Sequence, residues 1–165
     1  MIELLDDPAY RHMLLNHVPV IGLATAASVV ACGLALRQAA IMRVGLALVI
    51  LTAGAAFPVA RFGDAAYPAI FDQLDGDGRA WLDYHAYLAD QWILLLYATC
   101  AVSAIALLLG WLRPRLLIAL TAAALLCSLA GFGTAAWIAM AGGKIKHPEF
   151  RMDDPPRPPS SRRLD

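Results

Sequence analysis

Long apolar segments alternate with shorter polar ones along most of this chain. Four of them approach or exceed the ~20 apolar residues that a helix needs to cross a bilayer, at about 13–36, 41–60, 88–112 and 116–140. The links RQAA and RPR, which follow the first and third segments, are so short that they force antiparallel neighbours. The pattern therefore predicts an all-α fold, an integral membrane four-helix up-down bundle.

Two polar regions complete the chain. Residues 61–87 form a connection, and residues 150–165 form a Pro-rich, charged tail that cannot build a core. The chain thus divides into a transmembrane domain, 1–149, and this tail. In the connection, AYPAIFDQL predicts a short helix lying on the membrane, and DGDG predicts a turn with Asp77 as a helix N-cap. Helical spacing then puts four side chains on one face that leads into the third segment, namely Trp81, His85, Leu88 and Trp92.

The distribution of charge predicts an orientation in the membrane. The side with the two short links carries basic residues and no acid, namely Arg37, Arg43, Arg113 and Arg115. The opposite side is acidic and carries Asp6, Asp7, Asp64, Asp72, Asp75, Asp77 and Asp83. Because basic residues concentrate on the cytoplasmic side, we expect the short links inside and both termini on the periplasmic side. This predicts a multi-pass protein of the bacterial inner membrane.

Composition narrows the possible functions. The chain is 60% hydrophobic and 16% charged, with a mean hydropathy of +0.62, which fits an integral membrane protein. Its formal net charge of zero implies no attraction to nucleic acid. Cys32, Cys100 and Cys127 form no CxxC or CxxCH pattern, which argues against a zinc ribbon and against c-type haem. No apolar segment carries a central charge, which argues against an ion pump.

The histidines are the strongest sign of chemistry. All four, His12, His17, His85 and His147, lie at or just beyond the ends of apolar segments on the predicted periplasmic side. Imidazole is the commonest protein metal ligand and an axial ligand of haem iron. Asn16 could cap the first helix or hold an imidazole, and Glu149 could orient one. Each histidine also has an ordinary interpretation as a polar residue at the membrane interface.

Three motifs carry a resemblance to a known family. HxxLNHxPVxG, LDYHAYLADQW and GGKIKHPEF resemble the NHxPxxG motif, the histidine beside acids before the third helix, and the terminal GGxIRHxE of small four-helix bacterial membrane proteins of unsettled function. Lys146, Tyr84 and Ala86 depart from that pattern. The matching residues are His12, Asn16, His17, His85, His147 and Glu149. Related domains occur beside redox modules such as Rieske proteins, so the resemblance implies electron transfer.

The leading functional hypothesis is a b-type cytochrome with one or two bis-histidine haems near the periplasmic face. We expect His17 to pair with His85 and His12 with His147, with Trp81, Tyr84 and Trp92 packed around the macrocycle. Its partners would be a periplasmic cytochrome, quinone or a larger respiratory complex, so a stand-alone enzyme is not expected. One alternative is a copper or zinc site made by the same histidines with Glu149. Another is a non-catalytic accessory subunit of a membrane complex.

Overall fold

The computed structural model describes residues 6–155, and within that range the chain is helical with no strand. The prediction of an all-α fold is confirmed. The helices are α1 Pro8–Leu15, α2 His17–Ala35, α3 Ala39–Gly54, α4 Ala56–Asp72, α5 Gly76–Leu112 and α6 Leu117–Lys146. Short 3-10 turns at Pro114–Leu116 and Pro148–Phe150 flank α6.

Four stretches of helix are long and apolar enough to cross a membrane. They are span 1, Pro8–Ala35; span 2, Ala39–Asp72; span 3, Gly76–Leu112; and span 4, Pro114–Lys146. Spans 1 and 2 are each built from two helices, with breaks at Asn16 and Ala55, three residues before Pro19 and Pro58. Proline has no N–H to donate to the carbonyl four residues earlier, which accounts for both breaks.

The helices extend well beyond the apolar segments. Residues 61–87, expected as a connection, are almost entirely helical, because α4 continues to Asp72 and α5 begins at Gly76. AYPAIFDQL is thus mostly the end of α4 rather than a separate helix on the membrane. The N-cap of α5 is Asp75, not Asp77, since the Asp75 side chain accepts the Gly78 N–H at 2.6 Å. That bond, followed by Arg151, lowers the pKa of Asp75.

The spans form a ring of four. Span 1 packs on spans 2 and 4, and span 3 packs on the same two, so spans 1 and 3 lie diagonally across the bundle. In addition, α1 packs on α4. Two buried clusters fill the interior, one centred on Leu23, Val49 and Leu96, the other on Leu46 and Leu117. His12 and His85 lie near one end of the ring, the histidine end, and the short links lie at the other, the arginine end.

The tail folds back onto the histidine end. Arg151 donates to the carbonyls of Lys144 (2.8 Å) and Ile145 (2.7 Å), which are among the last in α6, and its side chain is only 11% exposed. A helix end leaves such carbonyls without partners inside the helix. The cap supports the last turn of α6, which runs through Gly142 and Gly143 to Lys146.

Replacing Arg151 by alanine should loosen this end of span 4. The last carbonyls of α6 would lose a charged donor worth about 1–3 kcal/mol. We expect the amides of residues 144–151 to exchange hydrogen for deuterium roughly 10–100-fold faster. Lys146→Ala removes an adjacent, exposed positive charge and serves as the control. Equal exchange rates in the two variants would mean that Arg151 does not hold the helix end.

Candidate functional site

Two of the four histidines meet inside the bundle. His12 comes from α1 and His85 from α5, and their ring centroids lie 6.2 Å apart with an interplanar angle of 86°. Both side chains are partly buried. Because spans 1 and 3 are diagonal to each other, the pair lies across the interior of the helix ring, with spans 2 and 4 on either side.

The tautomer of both rings follows from their hydrogen bonds. Nδ1 of His12 lies 2.9 Å from the Val59 carbonyl oxygen, and Nδ1 of His85 lies 2.9 Å from that of Ile138. A carbonyl oxygen can only accept, so each Nδ1 carries the proton and donates it. Each Nε2 therefore keeps a lone pair that can accept a hydrogen bond or bind a metal. Two imidazoles of this kind are competent metal ligands.

A third polar group lies close to the pair along the chain. Asn16 follows His12 by four residues, so it lies one helical turn further along the same face. Its Oδ1 atom is buried and has no hydrogen-bond partner within the described part of the chain. A buried amide oxygen without a partner costs free energy, so a water molecule or another donor at this level would stabilise it.

The other two histidines lie apart from this pair. His17 is exposed at the start of α2. His147 is 56% exposed and pairs with Glu149, Nδ1 to Oε1 at 2.9 Å. The pKa of Glu149 is lowered first by a backbone hydrogen bond of its own and then by His147. The pairing expected from the sequence, His17 with His85 and His12 with His147, is thus not the one that the side chains adopt.

The aromatic residues named with the site lie at the histidine end, but in separate groups. Trp81 is buried in a cluster with Leu82 and Ile145. Tyr84 packs edge-on against the Trp81 ring, with the ring centroids 5.9 Å apart, and Lys144 Nζ lies 4.2 Å from the centroid of the Trp81 ring. Trp92 is exposed and contacts Trp137. Their expected role of packing around a macrocycle remains a prediction.

The residues that hold the two rings carry no signal of their own in the sequence. They are the carbonyl groups of Val59 and Ile138 and two glycines, Gly63 and Gly142. Backbone carbonyls leave no trace in residue type, and a glycine in an apolar helix is most simply interpreted as a packing residue. Only the helix pairing shows that these groups matter.

The chain between residues 6 and 155 contains no group of three or more histidine, cysteine, aspartate or glutamate residues that could hold a metal ion. The copper or zinc site expected from three histidines therefore does not assemble in this range. A haem requires only one or two protein ligands, because the porphyrin supplies the rest. The His12–His85 pair offers that number of imidazole side chains.

No protein-family model matches this chain, and no curated protein or solved structure is similar to it. The resemblance carried by the NHxPxxG-like and GGxIRHxE-like motifs accordingly stays a prediction.

Proposed function

We propose that this chain is a membrane-embedded b-type cytochrome that binds haem between His12 and His85 and transfers electrons. The observation that carries the proposal is the separation of the two rings. A metal–nitrogen bond of about 2.0–2.1 Å, plus about 1.1 Å from nitrogen to ring centre, would put two imidazoles on opposite sides of one metal with centroids roughly 6 Å apart. The observed 6.2 Å supports this arrangement.

The spacing also favours haem over a tetrahedral site. Two imidazoles meeting at a tetrahedral metal would have centroids only about 5 Å apart, since the ligand angle is near 109°. Neither a third histidine nor a cysteine or acid completes such a site among the described residues. For this reason we do not retain copper or zinc as a second candidate.

The protein's part in the chemistry would be to hold the haem and to set the basicity of the two imidazoles. Haem would supply a one-electron carrier, and His12 and His85 would hold it. The Nδ1–H bonds to Val59 and Ile138 would make both imidazoles more basic. Asn16, with its orphan Oδ1, would accept a hydrogen bond from a polar group of the ligand or from a water.

The proposal includes a location and partners. The histidine end carries acids together with Arg11, Arg61, Arg79, Lys144, Lys146 and Arg151. The arginine end, with the two short links, carries only basic charge, from Arg37, Arg43, Arg113 and Arg115, and short loops have the most weight in setting orientation. By the positive-inside rule this supports a haem near the periplasmic face of a bacterial inner membrane, with both termini outside. Its electrons would then pass to or from a periplasmic cytochrome, quinone or a larger respiratory complex.

The absorption spectrum tests this function directly. The protein should be expressed with sufficient haem, purified in mild detergent and analysed as pyridine haemochrome. We expect a Soret band, sharp α and β bands on reduction that are typical of six-coordinate low-spin haem b, and one haem per chain. A folded, colourless protein that takes up no added haemin would overturn the proposal and leave the pair a structural one, as in an accessory subunit.

A further inference from the structure

The two histidines are held by the same device, repeated in the two halves of the chain. In the first hairpin, spans 1 and 2, His12 of the first span donates to the carbonyl of Val59 on the second, beside Gly63. In the second hairpin, spans 3 and 4, His85 donates to the carbonyl of Ile138, beside Gly142. In both cases the glycine follows the carbonyl residue by four positions.

The offset of four has a physical reason. In an α-helix the carbonyl of residue i points toward residue i+4, whose N–H it accepts. A side chain at i+4 would stand beside that carbonyl. A glycine leaves the oxygen's second lone pair open to a donor from a neighbouring helix. Gly63 and Gly142, which have no Cβ, leave room for the imidazole N–H beside that lone pair.

The contact distances show how closely each ring occupies that space. A Cβ built on Gly63 would lie 3.0 Å from both Cε1 and Nδ1 of His12. One built on Gly142 would lie 3.1 Å from Cε1 and 3.2 Å from Nδ1 of His85. These separations are below ordinary van der Waals contact, so alanine at either position would push the ring away by a few tenths of an ångström.

We infer that the site consists of two equivalent half-sites, one from each hairpin, in which Gly63 and Gly142 are the positioning residues that set the plane and the basicity of each imidazole. The inference rests on the proposed function for the identity of the bound group. What it adds is the way in which the two imidazole rings are positioned. Because each glycine acts on one ring, the 86° between the two planes is fixed independently by the two hairpins.

The angle has a spectroscopic consequence. Axial imidazoles with nearly perpendicular planes give ferric low-spin haem a strongly anisotropic EPR signal, whereas parallel planes give an ordinary rhombic one. We expect the anisotropic signal in the native protein. Gly63→Ala and Gly142→Ala should each shift it. Each should also raise the reduction potential, because a weakened Nδ1–H bond makes the ligand less basic and favours the reduced iron.

The chain offers a matched control for each variant. Gly54, also in span 2, would place its Cβ at an ordinary 3.6 Å from Cys100 Sγ, and Gly143, next to Gly142, at 3.9 Å from Phe150. Gly54→Ala and Gly143→Ala should therefore leave the EPR signal and potential unchanged. A merely structural effect of removing a glycine would be shared with these controls.

NMR of the haem-free protein with ¹⁵N-labelled histidine separates this inference from the function. We expect both rings in the Nδ1–H tautomer, with the shifts of His12 perturbed only by Gly63→Ala and those of His85 only by Gly142→Ala. If these tautomers are seen but no haem binds, the half-sites stand and the haem proposal fails. If haem binds, but the two variants match their controls in EPR, potential and NMR, the half-site inference is overturned.

Discussion

Alanine in place of either His12 or His85 should abolish six-coordinate haem binding. Each variant removes one of two axial ligands, and loss of a group that only supports a ligand already costs 10–100-fold in metal affinity. We therefore expect at least about a 100-fold loss of haem affinity, read as loss of the Soret band in the purified protein and as weaker binding in haemin titrations. The two variants should be nearly equal in effect, because the half-sites are equivalent.

The remaining two histidines provide the control for this experiment. His17 and His147 are exposed, so His17→Ala and His147→Ala should keep the full spectrum. Loss of haem in His17→Ala with retention in His12→Ala would favour the His17–His85 pair expected from the sequence and contradict the His12–His85 pair. The two outcomes are opposite, so one set of four variants decides between them.

A folding defect can be separated from the loss of a ligand. His85→Gly leaves a cavity of the shape of imidazole, which free imidazole added to the buffer can enter. Recovery of the six-coordinate spectrum on adding imidazole would show that the rest of the site is intact. Failure of recovery in a variant with native helix content would count against His85 as an axial ligand.

The fold was largely predictable, and the helix ends were not. Hydropathy identifies a helix only where its residues are apolar, so it located the four apolar segments. Beyond those segments polar residues continue the same helices, as in residues 61–72 and 76–87. There the apolar signal stops although the backbone hydrogen bonds do not, which explains why this region was expected to be a connection.

The location of the site was partly predictable. One-sided histidines could be seen in the sequence, and their end of the bundle followed from the topology. The choice between His12 and His17 could not be made, because five residues of helix turn them by about 500°, toward different faces. That choice depends on the break at Asn16, on the packing of α1 against α4, and on Gly63 in a distant part of the chain.

The small residues illustrate the same limit. Glycine in an apolar helix is typical of close helix approach, and Gly22 and Gly45 both lie against a neighbouring helix, at Thr52 and Val30 respectively. Gly142 has the same residue type but a different purpose, since its neighbour is the His85 ring. Residue type alone cannot separate a glycine that lies against a neighbouring helix from one that lies against a histidine ring; the residue in contact with it must be known.

The second large effect is expected where a glycine lies against the backbone of the next helix. A Cβ on Gly45 would come within 2.9 Å of the Val30 nitrogen and 3.1 Å of its Cα, and one on Gly33 within 2.7 Å of the Met42 nitrogen. Backbone atoms cannot rotate away as a flexible side chain can. Spans 1 and 2 would have to move apart, breaking the packing on which helix association in lipid depends.

We accordingly expect Gly45→Ala and Gly33→Ala each to destabilise the bundle by about 1–3 kcal/mol, despite the roughly 1 kcal/mol that alanine gains in helix propensity over glycine. Unfolding by sodium dodecyl sulfate in mixed micelles measures this difference. Gly133→Ala is the matched control: its Cβ would meet nothing within 4 Å, so only the gain in propensity remains and stability should stay level or rise. If Gly45→Ala proved as stable as Gly133→Ala, spans 1 and 2 would not be packed as closely as the structure shows. The position of Val59 and Gly63 beside His12 depends on that packing, so it would then be in doubt as well.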